Sequence, residues 1–282
     1  MCAVNGSRKA VEIRKLVLDM IFHAGSGHIG GSLSAAEILV SLYYGTMRVD
    51  PTNPTWPERD RFILSKGHSV EVYYAVLADL GFFPREELDT FCQFGSRLIG
   101  HTNTKVPGVE HNTGSLGHGL SVGMGMALGA KRAHSLSRVF VLMGDGELTE
   151  GSVWEAAMAA AHYTLDNLTA IIDRNGLQIS GPTENVMQLE PLADKWRAFG
   201  WHVTEVSGHD FDELVAALNA EKLGKPHLVL AKTTKGKGIS FIENQAHWHH
   251  GVPSEEQYLQ AKAELEAQWE EASGVGAGIR SN

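Results

Sequence analysis

Residues 144–181 read GDGELTEGSVWEAAMAAAHYTLDNLTAIIDRNGLQISG, and this stretch decides the fold. Just before it, RVFVLM at 138–143 is a short β-branched and apolar run that predicts a buried strand. The chain then turns sharply at Gly144-Asp145-Gly146. Glycines on both sides let the backbone approach something bulky, and the Asp145 carboxylate stands at the carboxyl end of the strand. A helix follows, with Trp154, Ala157, Ala160 and Ala161 on its packing face and Glu150 in its first turn. LTAIID at 168–173 is the next strand, and it delivers Asn175 to the same edge of the sheet. Open α/β sheets bind their ligands at that edge. One carboxylate, one amide oxygen and a nearby backbone carbonyl are hard oxygen donors. With ligand and water oxygens they suit Mg²⁺ or Ca²⁺.

A lone GDG reads as an ordinary turn. GDG at 144–146 with DRNG at 173–176, however, resembles the thiamine-diphosphate signature, and the filling ELTEGSVWEA resembles its transketolase version. The resemblance implies that Asp145 and Asn175 bind a metal through their side chains and Leu177 through its carbonyl. It also implies that Gly146 touches the cofactor's diphosphate and that Ile179 packs on the cofactor.

The whole chain has 282 residues, 43% hydrophobic and 20% charged, which fits one large globular α/β domain. A net charge of −9 disfavours nucleic acid, whose phosphates need a basic face. Cys2 and Cys92 form no disulfide framework, so a cytoplasmic location is expected. MCAVNGSRKAVEIRK lacks the apolar centre of a signal peptide, and no apolar run is long enough to cross a bilayer. Fourteen histidines suggest a site rich in imidazoles.

Outward from the central stretch, strand and helix alternate, which predicts a doubly wound, mostly parallel sheet. Ser7 to Ala24 reads as a helix running into a glycine-rich loop, AGSGHIGGSLS. Ser34-Ala-Ala-Glu37 has the form of a capping box opening a helix to Tyr44. RFILS is a strand with KGH at its end, Ser69 to Leu80 a helix, and Pro84 opens a short one. Residues 93–116 look irregular, and a loop of that length is usually functional. GLSVGMGMALGAKRAH is a helix of small residues that lets another element lie close. LADKWRAF is helical, WHVTEV and HLVLAK are strands, and Asp210 caps the helix between them. Ser254 to about Glu271 is a charged helix. One domain over 1–272 and a disordered tail over 273–282 are expected.

Loop imidazoles at His28, His68, His101 and His247 suit proton movement on a hydroxylated carbon skeleton near neutral pH. No pair of them has zinc-finger spacing. SGHIGGSLSAAEIL, SKGH, PGVEHNTGSLGHGLSVGMGMALG and KTTKGKG resemble, in order, the amino-terminal half of a transketolase. By that resemblance His28 and His247 contact the donor sugar and the diphosphate side, and His101 holds the donor's first hydroxyl; these are the expected catalytic residues. His68, Gly114, Leu116 and Lys232 join Gly146 and Ile179 in the expected cofactor site. Glu150 and Glu155, which match acidic residues that meet the neighbouring chain's active site, are also expected in the cofactor site. The chain departs from the family where Thr102-Asn103 replaces the usual Pro-Glu and His118 replaces Gln.

The family activates its cofactor with a glutamate from a second, pyrimidine-binding domain on a neighbouring chain. This sequence ends one helix after AHWHHG, which leaves no room for that domain. The expectation is therefore the diphosphate-binding subunit of a split transketolase. In a homodimer or heterotetramer with its partner chain, it would move a two-carbon ketol unit from a ketose phosphate to an aldose using thiamine diphosphate and Mg²⁺ or Ca²⁺. The alternatives are a subunit like deoxyxylulose-phosphate synthase, or a non-catalytic thiamine-diphosphate-binding regulatory subunit.

Overall fold

The computed structural model describes residues 4–221 and 223–273. The expected disordered tail lies, from residue 274 onward, outside the described residues. In chain order the strands are β1 (Arg61–Leu64), β2 (Val139–Gly144), β3 (Leu168–Arg174), β4 (Leu177–Gln178), β5 (Gly181–Pro182), β6 (His202–Ser207) and β7 (His227–Lys232). β4 and β5 form a small antiparallel ladder, and the other five form one sheet in the order β1-β2-β3-β7-β6. Every neighbouring pair in that sheet is parallel.

The alternation along β2 shows why both faces are covered. Phe140 and Leu142 join one apolar cluster with the helices Gly6–Ala24, Ala36–Gly45 and Val70–Asp79. Val139, Val141 and Met143 join the other, with Gly119–Arg132, Gly151–His162 and Leu192–Ala198. Side chains of a strand alternate between faces, so an uninterrupted apolar run can only be satisfied by helices on both sides. The expected doubly wound sheet is borne out. The small residues of Gly119–Arg132 have a packing cause at one position: a Cβ on Gly123 would sit 2.4 Å from a Val141 methyl. The cap read at Asp210 holds, its side chain accepting from the Glu213 backbone at 2.9 Å, and Ser254 forms a capping box with Gln257 at the start of the charged helix.

The glycine-rich stretch near residue 30 differs from its reading. Ile29–Ser34 is helical and wholly buried, and Ala36–Gly45 begins directly after it. Ser34 makes no cap; its hydroxyl donates to Asp173 at 2.6 Å and lies 3.0 Å from the Gly31 carbonyl. Glu37 is taken by Arg14 in a two-pronged pair at 2.7 and 2.5 Å. Tertiary partners thus claim both side chains of the supposed capping box.

Burial pushes the Glu37 carboxyl up, but the Arg14 charge and hydrogen bonds from His209 and Arg14 overcome it and hold it down at about 2. A depressed carboxyl contributes stability that is fully present above its unfolded value, about 4.3. That contribution is lost as pH falls through about 2. Its size is on the order of 3 kcal/mol. Urea unfolding measured from pH 5 to pH 2 should show this loss in the wild type, and Glu37→Gln should flatten that part of the pH dependence.

Candidate active site

Five parallel strands place their carboxyl ends on one edge, and the chain leaving β1, β2, β3 and β7 meets there. These segments wall a cavity of about 370 Å³. Lys66 and His68 come from the end of β1, and Asp145, Gly146 and Glu147 from the turn after β2. Asn175, Leu177, Gln178 and Ile179 follow β3, and Lys235 follows β7. His28 and Gly31, the 114–116 loop and His249 close the remaining sides.

Below the cavity, Asp173 is fully buried and bonded to Lys66, Ser34 and Thr233. Burial pushes its carboxyl up, but the charge and hydrogen bond of Lys66, with the two hydroxyls, hold it below the ordinary carboxylate range. Lys66 also donates to the Gly31 carbonyl at 3.1 Å, so one ion pair ties β1, β3 and the Ile29–Ser34 helix together. Removing one member strands the other charge in the interior. Asp173→Ala is expected to cost about 3–5 kcal/mol in denaturant unfolding, and Asp173→Asn less.

Asp145 lies beside the Lys66–Asp173 pair and is 2% exposed. Its oxygens accept from the Gly146 and Gly176 backbone at 2.8 and 2.6 Å and from Arg174 at 3.1 Å. Burial first, and then the Asp173 charge, push this carboxyl up. The Asn175 amide oxygen accepts from the Leu177 backbone at 3.1 Å, and the Leu177 carbonyl accepts from Lys235 at 3.2 Å. Glu147 accepts from Ser65, from the Gly117 backbone at 2.9 Å and from the Gly144 backbone at 3.2 Å. It thereby rivets the 114–117 loop to the turn after β2.

The imidazoles converge on His28. Its ring centre lies 4.7 Å from His250, 5.2 Å from His68, 5.6 Å from His249 and 6.0 Å from His101. Burial, then the neighbouring His250, His101 and Lys235 charges, hold His28 down to about 4. Burial and Lys235 hold His249 down to about 3. Both rings are therefore neutral near pH 7, each able to donate through one nitrogen and accept through the other. Lys235 lies 2.9 Å from His249 Nδ1. A lysine only donates, so the His249 proton sits on Nε2.

Of the residues expected from sequence, His28, His68, Gly114, Leu116, Asp145, Gly146, Asn175, Leu177 and Ile179 line the cavity. His101 stands at its rim, its ring 3.1 Å from where a Cβ on Gly114 would lie, with its carbonyl held by the Tyr74 hydroxyl at 2.9 Å. His247, Glu150, Glu155 and Lys232 do not line it, and all four are exposed. The short turn Ala246–His249 presents His249 inward instead of His247. Lys232 is 70% exposed at the end of β7, and Lys235, three residues on, is the buried cavity lysine. Lys66, Glu147 and Gln178 were not singled out from sequence, although each lies inside a quoted motif. The Thr102-Asn103 departure has a structural role. Thr102 donates to the His111 carbonyl at 2.8 Å and accepts from the Thr113 backbone at 2.7 Å, while Asn103 donates to the Arg97 carbonyl at 2.9 Å.

The family model described as the transketolase thiamine diphosphate binding domain matches residues 6–272. The chain belongs to the transketolase family. It is 52% identical over 254 residues to one subunit of the apulose-4-phosphate transketolase of Phocaeicola vulgatus, covering 89% of this chain and 90% of that protein. It is 48% identical over 257 residues to the 6-deoxy-6-sulfo-D-fructose transketolase subunit SqwG of a Clostridium species, covering 90% and 94%. Against human transketolase it is 44% identical over 227 residues, 80% of this chain but 36% of the human one. The crystal structure of transketolase from Campylobacter jejuni superposes with a TM-score of 0.87 at 32% identity, covering 97% of this chain and 47% of that one. The chain thus spans less than half of that solved transketolase and nearly all of the separately encoded subunits. The expected transketolase fold and the expected amino-terminal, thiamine-diphosphate-binding subunit of a split transketolase are borne out.

Proposed function

We propose that this transketolase chain, with a partner subunit, transfers a two-carbon ketol unit from a ketose with an anionic terminus to an aldose acceptor. Its own share is to hold the cofactor's diphosphate and a divalent cation. The observation that carries this reading is the convergence of Asp145, Asn175 and the Leu177 carbonyl beside two buried lysines, Lys66 and Lys235, in one cavity. Among the described residues no three His, Cys, Asp or Glu side chains come together as a metal site. A cation here would be held by one carboxylate, one amide, one carbonyl and the ligand's own oxygens, a set that suits Mg²⁺ or Ca²⁺. Lys235, which donates to the Leu177 carbonyl, would be within the same cavity to donate to the diphosphate.

Bound thiamine diphosphate supplies the electron sink for breaking and making the carbon–carbon bond. The protein's part is binding and proton handling. Gly146, Gly114 and Leu116 line the cavity and would border the diphosphate and aminopyrimidine, and Ile179, 71% exposed, would offer apolar surface to the cofactor ring. The imidazoles of His28, His101 and His249 would orient the donor's hydroxyls and exchange protons at its oxygens. The named relatives act on a ketose phosphate and a sulfonated ketose, which sets the substrate class proposed here. The partner contributes the pyrimidine-binding domain and the activating carboxylate. Glu150 and Glu155, exposed where the Gly151–His162 helix starts, face that neighbouring chain. Among the described residues no helix is long and apolar enough to cross a membrane. A cytoplasmic location is proposed on the cysteine usage alone, two cysteines that make no disulfide framework.

His101→Ala tests the division between cofactor and sugar. Turnover of the assembled enzyme should fall by about 10²–10⁴, while thiamine diphosphate affinity changes little, because His101 stands at the rim and not among the cavity-lining residues. Ketol transfer at the wild-type rate would remove His101 from the site.

A further inference from the structure

Gln178 ends β4, one position after the Leu177 carbonyl, and lines the cavity. Its side-chain nitrogen is buried and has no hydrogen-bond partner. Buried polar groups are almost always paired, and an unpaired one is costly. The ladder of β4 with β5 sets Gln178 opposite Gly181. Its side chain lies over the turn after β2: a Cβ on Gly146 would stand 3.0 Å from Gln178 Cγ and 3.7 Å from Nε2. Glycine at 146 is therefore what makes room for this amide.

No protein acceptor is bonded to the amide there. The Asp145 oxygens already accept from the Gly146 and Gly176 backbone and Arg174, and their remaining capacity is what the proposed cation would take. The Glu147 oxygens are occupied by Ser65 and the Gly117 and Gly144 backbone. The other charged side chains of the wall, Lys66 and Lys235, are themselves donors. A donor left over among donors calls for a ligand rich in acceptor oxygens.

We propose that the Gln178 amide donates a hydrogen bond to a diphosphate oxygen of the bound cofactor, beside Gly146. Gln178 thus adds a neutral donor to the two lysines and fixes which face of the diphosphate meets the turn. This rests on the cofactor reading above.

The test measures affinities on the complex of this chain with its partner subunit in Mg²⁺. Thiamine diphosphate is titrated by calorimetry, and inorganic diphosphate is used to displace it. Wild type, Gln178→Ala, Gln178→Glu and Asp145→Ala are compared, with thermal melts to confirm that each is folded. Gln178→Ala should weaken both ligands about 10-fold, the usual scale for a hydrogen bond to a charged group. The isosteric Gln178→Glu should weaken both by about 100-fold, because a carboxylate replaces a donor against the diphosphate. If both Gln178 variants bind like wild type while Asp145→Ala does not, the proposal is wrong and the cofactor reading stands. A raised KM for the ketose with unchanged cofactor affinity also overturns it, since the amide would then serve the sugar. If Asp145→Ala binds normally as well, the cofactor reading falls and this proposal with it.

Discussion

Asp145→Ala is expected to lower thiamine diphosphate affinity in the presence of Mg²⁺ by about 100-fold or more, since losing even an outer-shell partner of a metal commonly costs 10–100-fold. The carboxylate is 2% exposed and pushed up by burial and by Asp173, more than Arg174 at 3.1 Å offsets, so its charge is costly until a divalent cation is added beside it. Alanine removes that charge and also leaves the Gly146 and Gly176 backbone and Arg174 without their acceptor. Some lost stability is therefore expected. Asp145→Asn separates the two effects, because an amide oxygen still accepts from Gly176 but carries no charge. Calorimetry should show both variants impaired in cofactor binding, and the Asn variant should melt closer to wild type. Unchanged affinity in the Asn variant would remove Asp145 from the metal site.

The sheet was legible because its strands are short, apolar and β-branched, and because strand and helix alternate along the chain. The cavity was legible wherever a residue is tied to a strand's carboxyl end. Asp145 and Asn175 follow β2 and β3 directly, so their positions come with the strands. What sequence missed depends on contacts far apart in the chain. Lys66 is buried only because Asp173, more than a hundred residues away, neutralises it. Ser34 and Glu37 have capping-box spacing, yet Asp173 and Arg14 are stronger partners than a helix end. In HWHH the identity of the inward ring depends on one tight turn, which puts His249 in the cavity and leaves His247 outside. Lys232 and Lys235 are both in KTTKGKG, and only the bend after β7 tells them apart.

The second large effect concerns the chain by itself. Its cavity is lined by two carboxylates, Asp145 and Glu147. Each is already held by backbone donors and a side chain. Neither is free to hydrogen-bond the aminopyrimidine, which is what activation of the cofactor requires in this reading. Ile179 at the cavity wall is 71% exposed, which leaves the cofactor's ring face uncovered on this chain. A ligand held by two chains couples their equilibria, so the partner should tighten cofactor binding as it restores turnover.

The most direct measurement of this account is ketol transfer by the purified chain with thiamine diphosphate and Mg²⁺, followed by titration with its partner subunit. The account predicts no turnover from the chain alone, and activity that rises with added partner and saturates as the complex fills. Substantial turnover before any partner is added would contradict it, because the activating carboxylate would then lie within these 282 residues.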